Sequence, residues 1–102
     1  MTTDVFRAVG DPHRRAILDL LAEGERAVNE LLTHFDFSQP ALSRHLRVLR
    51  EAGLVVARAV GRQRRYSLEP QALRTVADWV AHYERFWTDK LDALGQTLEE
   101  LP

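Results

Sequence analysis

The sequence lacks cysteine altogether, and it also lacks the segments that would direct it to or through a membrane. Without cysteine there is no disulfide framework, no thiolate metal site and no cysteine nucleophile. No apolar run approaches ~20 residues, the length that a membrane helix needs. The first residues, MTTDVFRAVGDPHRR, do not have the charged and then apolar layout of a secretion signal. These absences predict a soluble, cytoplasmic protein.

Motifs that carry catalysis are missing as well. The chain has no Gly-x-Ser-x-Gly elbow, no glycine loop that could cradle phosphates, and no close carboxylate pair in a predicted cleft. Its 102 residues, 45% hydrophobic and 28% charged, have the size and balance of one globular domain. We therefore predict a single domain over residues 1–102 that is not an enzyme.

Positive charge is concentrated in the middle of the chain. Residues 38–66 hold seven arginines and one acidic residue, a net charge of +6, whereas residues 1–37 carry −3 and residues 67–102 carry −4. A basic segment between acidic flanks is expected where one face of a protein meets a polyanion. A solvated surface that happens to be rich in arginine would give the same charge pattern.

Hydrophobic periodicity predicts a mainly α-helical fold with one small hairpin, in the order α-α-α-α-β-β-α. Asp11 and Ser38 are the predicted N-caps of the second and fourth helices, and Gly10 and Gly53 are predicted to end helices in a left-handed turn. Gly61 opens a two-residue hairpin turn, as type II′ prefers. The predicted helices span residues 3–9, 12–23, 27–34, 39–52 and 70–99, and the predicted strands span residues 54–60 and 63–68.

The fourth predicted helix has one apolar and one cationic side. Leu42, Leu46 and Leu49 share the side that faces the core, while Ser43 and Arg44 lie on the opposite arc. A helix of this kind fits the major groove of B-form DNA with its N-terminal residues nearest the bases. The predicted DNA-binding residues follow this arc and continue into the hairpin: Ser38, Gln39, Pro40, Ser43, Arg44, Arg47, Arg50, Arg62, Arg64 and Arg65.

Within this set the helix and the hairpin have different expected roles. Gln39, Ser43 and Arg44 are the candidates to contact bases, because Gln and Arg can each make two hydrogen bonds to one base edge. Arg47 and Arg50, nearer the end of the helix, are expected to hold phosphates. Tyr66 is expected to face the core, leaving Arg62 at the tip and Arg64 or Arg65 to reach the DNA backbone or the narrow groove.

Three stretches, AVGDPHRRAILDLL, SQPALSRHLRVLREAGLV and GRQRRYSL, resemble in order and spacing the signature of the ArsR-type (arsenic-repressor-like) winged helix-turn-helix transcriptional regulators. The tail DWVAHYERFWTDKLDALGQTLEE is similar to the long last helix of a branch of that family without the usual metal ligands. The resemblance implies a homodimer, held by the first and last helices, that binds an inverted-repeat operator and represses transcription, often of its own operon.

Dimerisation is also predicted from the residues of the last helix. It carries four aromatic side chains in addition to a leucine seam, which is more apolar surface than one face of a small domain can cover. With the first helix included, the predicted dimer interface comprises Val5, Phe6, Trp79, Val80, Tyr83, Phe86, Trp87, Leu91, Leu94 and Leu98.

Two alternatives stay open at this point, and neither calls for a cofactor. A metal- or small-molecule-sensing repressor could use Asp78 and His82, which are four residues apart, although two ligands do not make a stable zinc site and no metal is predicted. A winged-helix protein-interaction module without DNA binding is the other alternative, although it has no need of a cationic face. His45 is interpreted as a packed residue or one bonded to the backbone, and His13 and His34 as surface or capping residues. The sequence identifies no effector.

Overall fold

The computed structural model describes residues 4–88. The helices are α1 (Val5–Val9), α2 (Pro12–Ala22), α3 (Val28–Leu32), α4 (Gln39–Glu51) and α5 (Arg74–Ala81), with a 3₁₀ turn at Pro70–Leu73 before α5. The strands are β1 (Arg26–Ala27), β2 (Val55–Val60) and β3 (Gln63–Leu68). Within this part of the chain, no helix is long and apolar enough to cross a membrane.

Helices α2 and α4 begin at the two predicted N-caps. The Asp11 carboxylate accepts hydrogen bonds from the backbone N–H groups of His13 and Arg14, at 2.8 and 3.1 Å, and Pro12 occupies the first helical position. The Ser38 hydroxyl accepts from the N–H of Ala41 at 3.3 Å. Both predicted caps are confirmed, so the starts of the two helices are encoded locally.

Glycine has a different conformation at each predicted helix end. Gly53, after α4, has a φ of 77°, and Gly61, in the hairpin turn, has a φ of 60°, so both use the left-handed region that favours glycine. The prediction for Gly10 is wrong, because its φ and ψ of −71° and −11° are right-handed. There α1 ends in a tight turn in which the Gly10 N–H donates to the Arg7 carbonyl at 3.2 Å, and the chain passes directly into the Asp11 cap.

The strands form one antiparallel sheet in the order β1-β3-β2. Strands β2 and β3 make the predicted hairpin, with Ala57 opposite Tyr66 and Arg58 opposite Arg65. Strand β1 was not predicted, and it pairs with the far edge of β3, placing Arg26 opposite Tyr66. Its two residues are too few to show a period-two pattern, so the pairing was invisible in the sequence.

One buried apolar cluster joins the helices to the hairpin. Helix α4 buries Leu42, Leu46 and Leu49 at 1% exposure or less, which confirms the predicted inward face. Helices α1 to α3 and the hairpin supply the other buried members, Ala8, Ile17, Leu18, Leu21, Leu31, Leu54, Val55 and Tyr66. Because α4 inserts three leucines into this cluster, its rotation about its own axis is determined by the core.

The C-terminal segment differs from the single helix predicted over residues 70–99. After α5 a turn follows at residues 82–83, and residues 84–88 are again helical. The N–H of His82 bonds to the Trp79 carbonyl at 3.2 Å, while the His82 ring Nδ1 lies 2.9 Å from the Asp78 carbonyl, the acceptor that an α-helix would pair with that N–H. The prediction of one continuous helix is therefore wrong here, and Leu91, Leu94 and Leu98 lie outside the described residues.

Replacing Asp11 by Ala should lower the free energy of unfolding by about 1 kcal/mol near neutral pH, because two backbone N–H groups lose their acceptor. Burial would raise the pKa of Asp11, but the N–H groups of Arg14 and His13 stabilise the charged form and lower that pKa below 3.8. The stabilisation is therefore present above this pH and is lost as the pH falls further. Urea unfolding of both proteins at neutral and acid pH measures the difference.

Asp19→Ala is the matched control, since Asp19 lies on the exposed side of the same helix. It should change the free energy of unfolding by less than about 0.5 kcal/mol. Equal losses for the two variants would show that the cap does not hold the start of α2.

Candidate nucleic-acid interface

The side of α4 opposite the core is exposed and carries the predicted base-reading residues. Gln39, Pro40, Ser43, Arg44 and Arg47 are all exposed, and all precede the last turn of the helix. Amide and hydroxyl groups come first along the helix, and guanidinium groups follow. This order leaves the start of α4 free for close approach to a ligand and puts cations at its flank.

The hairpin presents one of its faces to the same side of the molecule. Side chains alternate along β3, so Arg64 shares a face with the buried Tyr66, and the guanidinium carbon of Arg64 lies 5.7 Å from the Tyr66 ring centroid. Arg64 lies opposite Ala59 on β2, whose small side chain leaves room beside it. The register of the hairpin therefore directs Arg64 towards α4.

An open cleft separates α4 from the hairpin, and its walls come from both elements. One part is lined by Ser43, Arg44, Arg47, Arg50, Arg64 and Tyr66. The adjoining part includes Asn29, Gln39, Ser43, Arg62, Gln63 and Arg64. Within residues 4–88, no carboxylate forms an ion pair with Arg44, Arg50, Arg62 or Arg64, and Arg47 has only Glu51 at 4.0 Å. The cleft therefore concentrates positive charge that this part of the protein does not neutralise. We call these arginines, 44, 47, 50, 62 and 64, the cationic ridge.

The other face of the hairpin is charged but neutralised. Arg58 and Arg65 lie opposite each other, and both meet Glu25: Arg58 Nη2 donates to its two carboxylate oxygens at 2.9 and 3.0 Å, and Arg65 Nε lies 3.8 Å from Oε1. Arg65 Nη1 also donates to Glu30 at 3.3 Å and to Gln63 at 3.1 Å. The structure thus places Arg65 away from the other predicted DNA-binding residues.

The ion pairs of Glu25 and Glu30 with these arginines were not predicted from the sequence. A signal was present, because period-two alternation puts residues 64 and 65 on opposite faces of β3 and only one of them can face α4. The partners of Arg65 were not visible, because they lie 35 and 40 residues earlier in the chain.

A second exposed surface is aromatic and belongs to α1 and the C-terminal segment. Phe6, Trp79, Tyr83, Phe86 and Trp87 are between 41% and 55% exposed, although large aromatic residues are usually covered. The Trp79 ring lies 5.6 Å from Phe6 and 5.5 Å from Tyr83, both edge to face. Val80 lines a groove with three of these aromatic residues, whereas Val5 packs against the core. We call the five aromatic side chains, at positions 6, 79, 83, 86 and 87, the aromatic face.

The residues of the metal alternative do not form a recognisable ligand set. The His82 ring Nδ1 contacts the backbone carbonyl of Asp78, so the contact between these two residues does not use the Asp78 side chain. In the part of the chain that the structure describes, no three His, Asp or Glu side chains come together in a way that could hold a metal ion. Metal sensing through Asp78 and His82 stays an untested alternative.

Comparison with known proteins identifies relatives of the chain. Residues 11–56 match the model of a family described as bacterial regulatory protein, arsR family. The HTH-type transcriptional regulator Rv2034 of Mycobacterium tuberculosis is 42% identical over 97 residues, which are 92% of this chain and 85% of that protein. The transcriptional repressor SdpR of Bacillus subtilis is 35% identical over 80 residues, 78% of this chain and 89% of that protein.

Solved structures agree with these relatives. A crystal structure described as a possible transcriptional regulator for arsenical resistance has a TM-score of 0.69 and 46% identity, covering 92% of this chain and 95% of that one. An ArsR-like transcriptional regulator from Rhodococcus sp. RHA1 has a TM-score of 0.72 and 31% identity, covering 96% of this chain and 90% of that one. These likenesses confirm the predicted winged helix-turn-helix fold.

The two faces of the hairpin predict different stabilities for neighbouring arginine variants. Arg65→Ala should lower the free energy of unfolding by about 1 kcal/mol, because it breaks a linked set of ion pairs that joins β3 to Glu25, before β1, and to Glu30 of α3. Arg64→Ala removes the same charge and one contact with a ring, so it should cost about 0.5 kcal/mol or less. Urea unfolding of the two variants measures both values, and a larger loss for Arg64→Ala would contradict the assignment of the faces.

Proposed function

Starting from the fact that the chain belongs to the arsR family of bacterial regulatory proteins, we propose that it is a repressor that occupies its operator as a homodimer. Family membership makes the chain a regulator of transcription and not an enzyme, as predicted. The observation that carries the rest of the proposal is the cationic ridge. Its arginines line one side of the molecule, while Arg58 and Arg65 are neutralised on the other.

Helix α4 is the element that reads bases in this proposal. Its exposed side offers Gln39, Ser43 and Arg44 near the N-terminus, and an amide or a guanidinium group can bond in two places to one base edge in the major groove. Because the core determines the rotation of α4, these side chains keep a constant direction relative to the duplex. Sequence preference then depends on them, while the remaining arginines supply affinity.

The hairpin is the wing of the proposed repressor. With α4 in the major groove, the sugar-phosphate strand beside that groove runs through the cleft between α4 and β3. Arg47, Arg50 and Arg64 then meet phosphates from both walls, and Arg62 at the hairpin tip reaches towards the adjacent narrow groove. These contacts favour all DNA sequences nearly equally.

The aromatic face supports the homodimer. Five large rings on α1 and the C-terminal segment form more exposed apolar surface than isolated exposed residues explain, and such patches mark association sites. A two-fold axis through this face would set two copies of α4 about 34 Å apart, one turn of DNA, and would match an inverted repeat. Since bacterial DNA lies in the cytoplasm, we expect the protein to work there.

A salt-titrated binding assay on DNA upstream of the protein's own gene tests the proposal. If the dimer neutralises ~6 to 8 phosphates, the logarithm of affinity should fall against the logarithm of salt concentration with a slope of about −5 to −7. No binding to this or to random DNA would favour the protein-interaction module. Repeating the assay with Zn(II) and with a chelator tests the metal alternative, in which binding would change between the two.

Arg44→Ala and Arg62→Ala should weaken DNA binding in different ways. Arg44→Ala should cost about 1 to 3 kcal/mol on the operator and relax the sequence preference, because a base contact is lost. Arg62→Ala should weaken operator and random duplex about equally and make the salt dependence shallower, because a phosphate contact is lost. Competition binding with both duplexes measures the two effects.

Arg58→Ala is the control for these variants, because it removes the same charge from the neutralised face. It should change affinity less than Arg62→Ala does. Equal losses on operator and random duplex for both Arg44→Ala and Arg62→Ala would contradict the division between base reading and backbone binding.

Trp87→Asp should give monomers with poor operator affinity, because a charge on the aromatic face would have to be buried in the dimer. Val56→Asp is the matched control, since Val56 is a similarly exposed apolar residue on the hairpin. Light scattering measures the mass of each protein. A Trp87→Asp variant that remains dimeric would show that the two copies meet elsewhere.

A further inference from the structure

A cluster of rings and charges lies where α2 begins, α4 passes and the turn between α3 and α4 closes. The His45 ring of α4 lies 5.8 Å from the His13 ring of α2 and 5.4 Å from the Phe37 ring of the turn. Phe37 is also edge to face with His13 at 5.3 Å. His45 is only half-buried, so the sequence interpretation of a packed residue describes it in part.

The polar contact that the His45 ring makes within the described residues is with a side chain and not with the backbone. Arg14 Nη1 lies 3.4 Å from His45 Nδ1. A guanidinium group has donors and no acceptor, so a hydrogen bond at this contact requires Nδ1 to accept and the proton of the neutral ring to be on Nε2. A doubly protonated ring would turn an N–H towards the guanidinium group and could not keep this hydrogen bond.

Arg14 also holds the end of α1. Its Nε donates to the Ala8 carbonyl at 2.7 Å, and its Nη2 donates to the Arg7 carbonyl at 3.1 Å. These carbonyls belong to the last turn of α1, and that of Arg7 also accepts from the Gly10 N–H. One guanidinium group therefore joins α1, which carries Phe6 of the aromatic face, to α4, which carries three arginines of the cationic ridge.

We propose that Arg14 and His45 are a positioning pair that holds α4 against α1 for DNA reading, and that protonation of His45 in mild acid separates the pair and weakens operator binding. The proposal rests on the proposed function, since α4 must be the reading element. In this proposal both residues act through the placement of α4. The signal that such a device would detect is a fall of cytoplasmic pH.

The surroundings of His45 favour the neutral ring. Burial lowers the pKa of His45, the Asp11 carboxylate opposes this, and the positive charges of Arg14, His13 and Arg44 lower it further. Because the pKa in the folded protein is below the ordinary value of 6.5, the unfolded chain binds the proton more readily. The stability that the neutral ring contributes is therefore present above that pH and is lost as the pH falls.

The expected direction is opposite to the usual behaviour of DNA-binding proteins. Protonation of an exposed histidine near DNA adds a positive charge and strengthens binding to phosphates. If His45 acts only through its charge, operator affinity should rise in acid. If it acts through its contact with Arg14, affinity should fall, so the sign of the pH dependence decides between the two.

The experiment compares operator affinity at about pH 7.5 and about pH 5.5 for the wild-type protein and for His45→Gln, at constant salt. Glutamine has an amide oxygen that can accept from Arg14, and it does not titrate in this range. We expect the wild-type affinity to fall about three- to tenfold in acid, and the His45→Gln affinity to change by less than about twofold. Thermal unfolding at both pH values verifies that each protein is folded.

His34→Gln is the matched control, because His34 is an exposed histidine just after α3. It should keep the wild-type pH profile. Tighter wild-type binding in acid, or a fall in the His45→Gln affinity as large as that of the wild type, would overturn the proposal.

A second measurement does not depend on DNA. Nitrogen NMR of the free protein reports which ring nitrogen carries the proton and at what pH each histidine titrates. We expect the Nε2–H form for His45 and a titration midpoint below the ordinary histidine value of 6.5. A proton on Nδ1 at neutral pH would contradict the proposed Arg14–His45 pair, even if the protein binds its operator. If the proton is on Nε2 but the protein binds no DNA, the proposed function alone is rejected.

Discussion

The burial of three leucines on one side of α4 is the constraint on which the rest of the molecule depends. Leu42, Leu46 and Leu49 pack into the core, and a helix that inserts three side chains in this way cannot rotate without opening cavities. Residues on the opposite side, Ser43 and Arg44 among them, therefore project from the helix in a constant direction. A small protein can thus present polar side chains in a constant direction at its surface without using core volume for them.

The hairpin applies the same logic with a different period. Alternation along β3 places Arg64 on the hairpin face turned towards α4 and Arg65 on the opposite face, where it pairs with Glu25 and Glu30. Among residues 4–88, Arg64 has no carboxylate partner, whereas its neighbour Arg65 is tied to two carboxylates. The net charge of the basic segment overstates the field that a ligand meets, because the charges of Arg58 and Arg65 are balanced within the protein.

The features that were predictable from the sequence are those that depend on near neighbours in the chain. The Asp11 and Ser38 caps, the apolar side of α4 and the Gly61 turn each involve residues within one or two turns of each other, so pattern and propensity suffice. The features that were missed depend on distant partners or on a local competitor. Strand β1 exists because the edge of β3 accepts it, and Arg65 is tied by residues far earlier in the chain. The helix predicted over residues 70–99 is interrupted at residues 82–83, where the His82 ring meets the Asp78 carbonyl that a continuing helix would pair with the His82 N–H, and hydrophobic spacing does not detect such a contact.

The two exposed surfaces of the molecule are connected through one short helix. Helix α1 presents Phe6 to Trp79 on the aromatic face, and its last carbonyls are held by Arg14, which reaches His45 on α4. Arg14 thus links the two surfaces through polar contacts as well as through the apolar core. If the proposed homodimer forms through the aromatic face and binds DNA through the cationic ridge, coupling between the two is reciprocal, because the free energy by which dimerisation favours DNA binding equals that by which DNA favours dimerisation. The contact between Arg14 and His45, at 3.4 Å, is the longest of the Arg14 contacts in this connection.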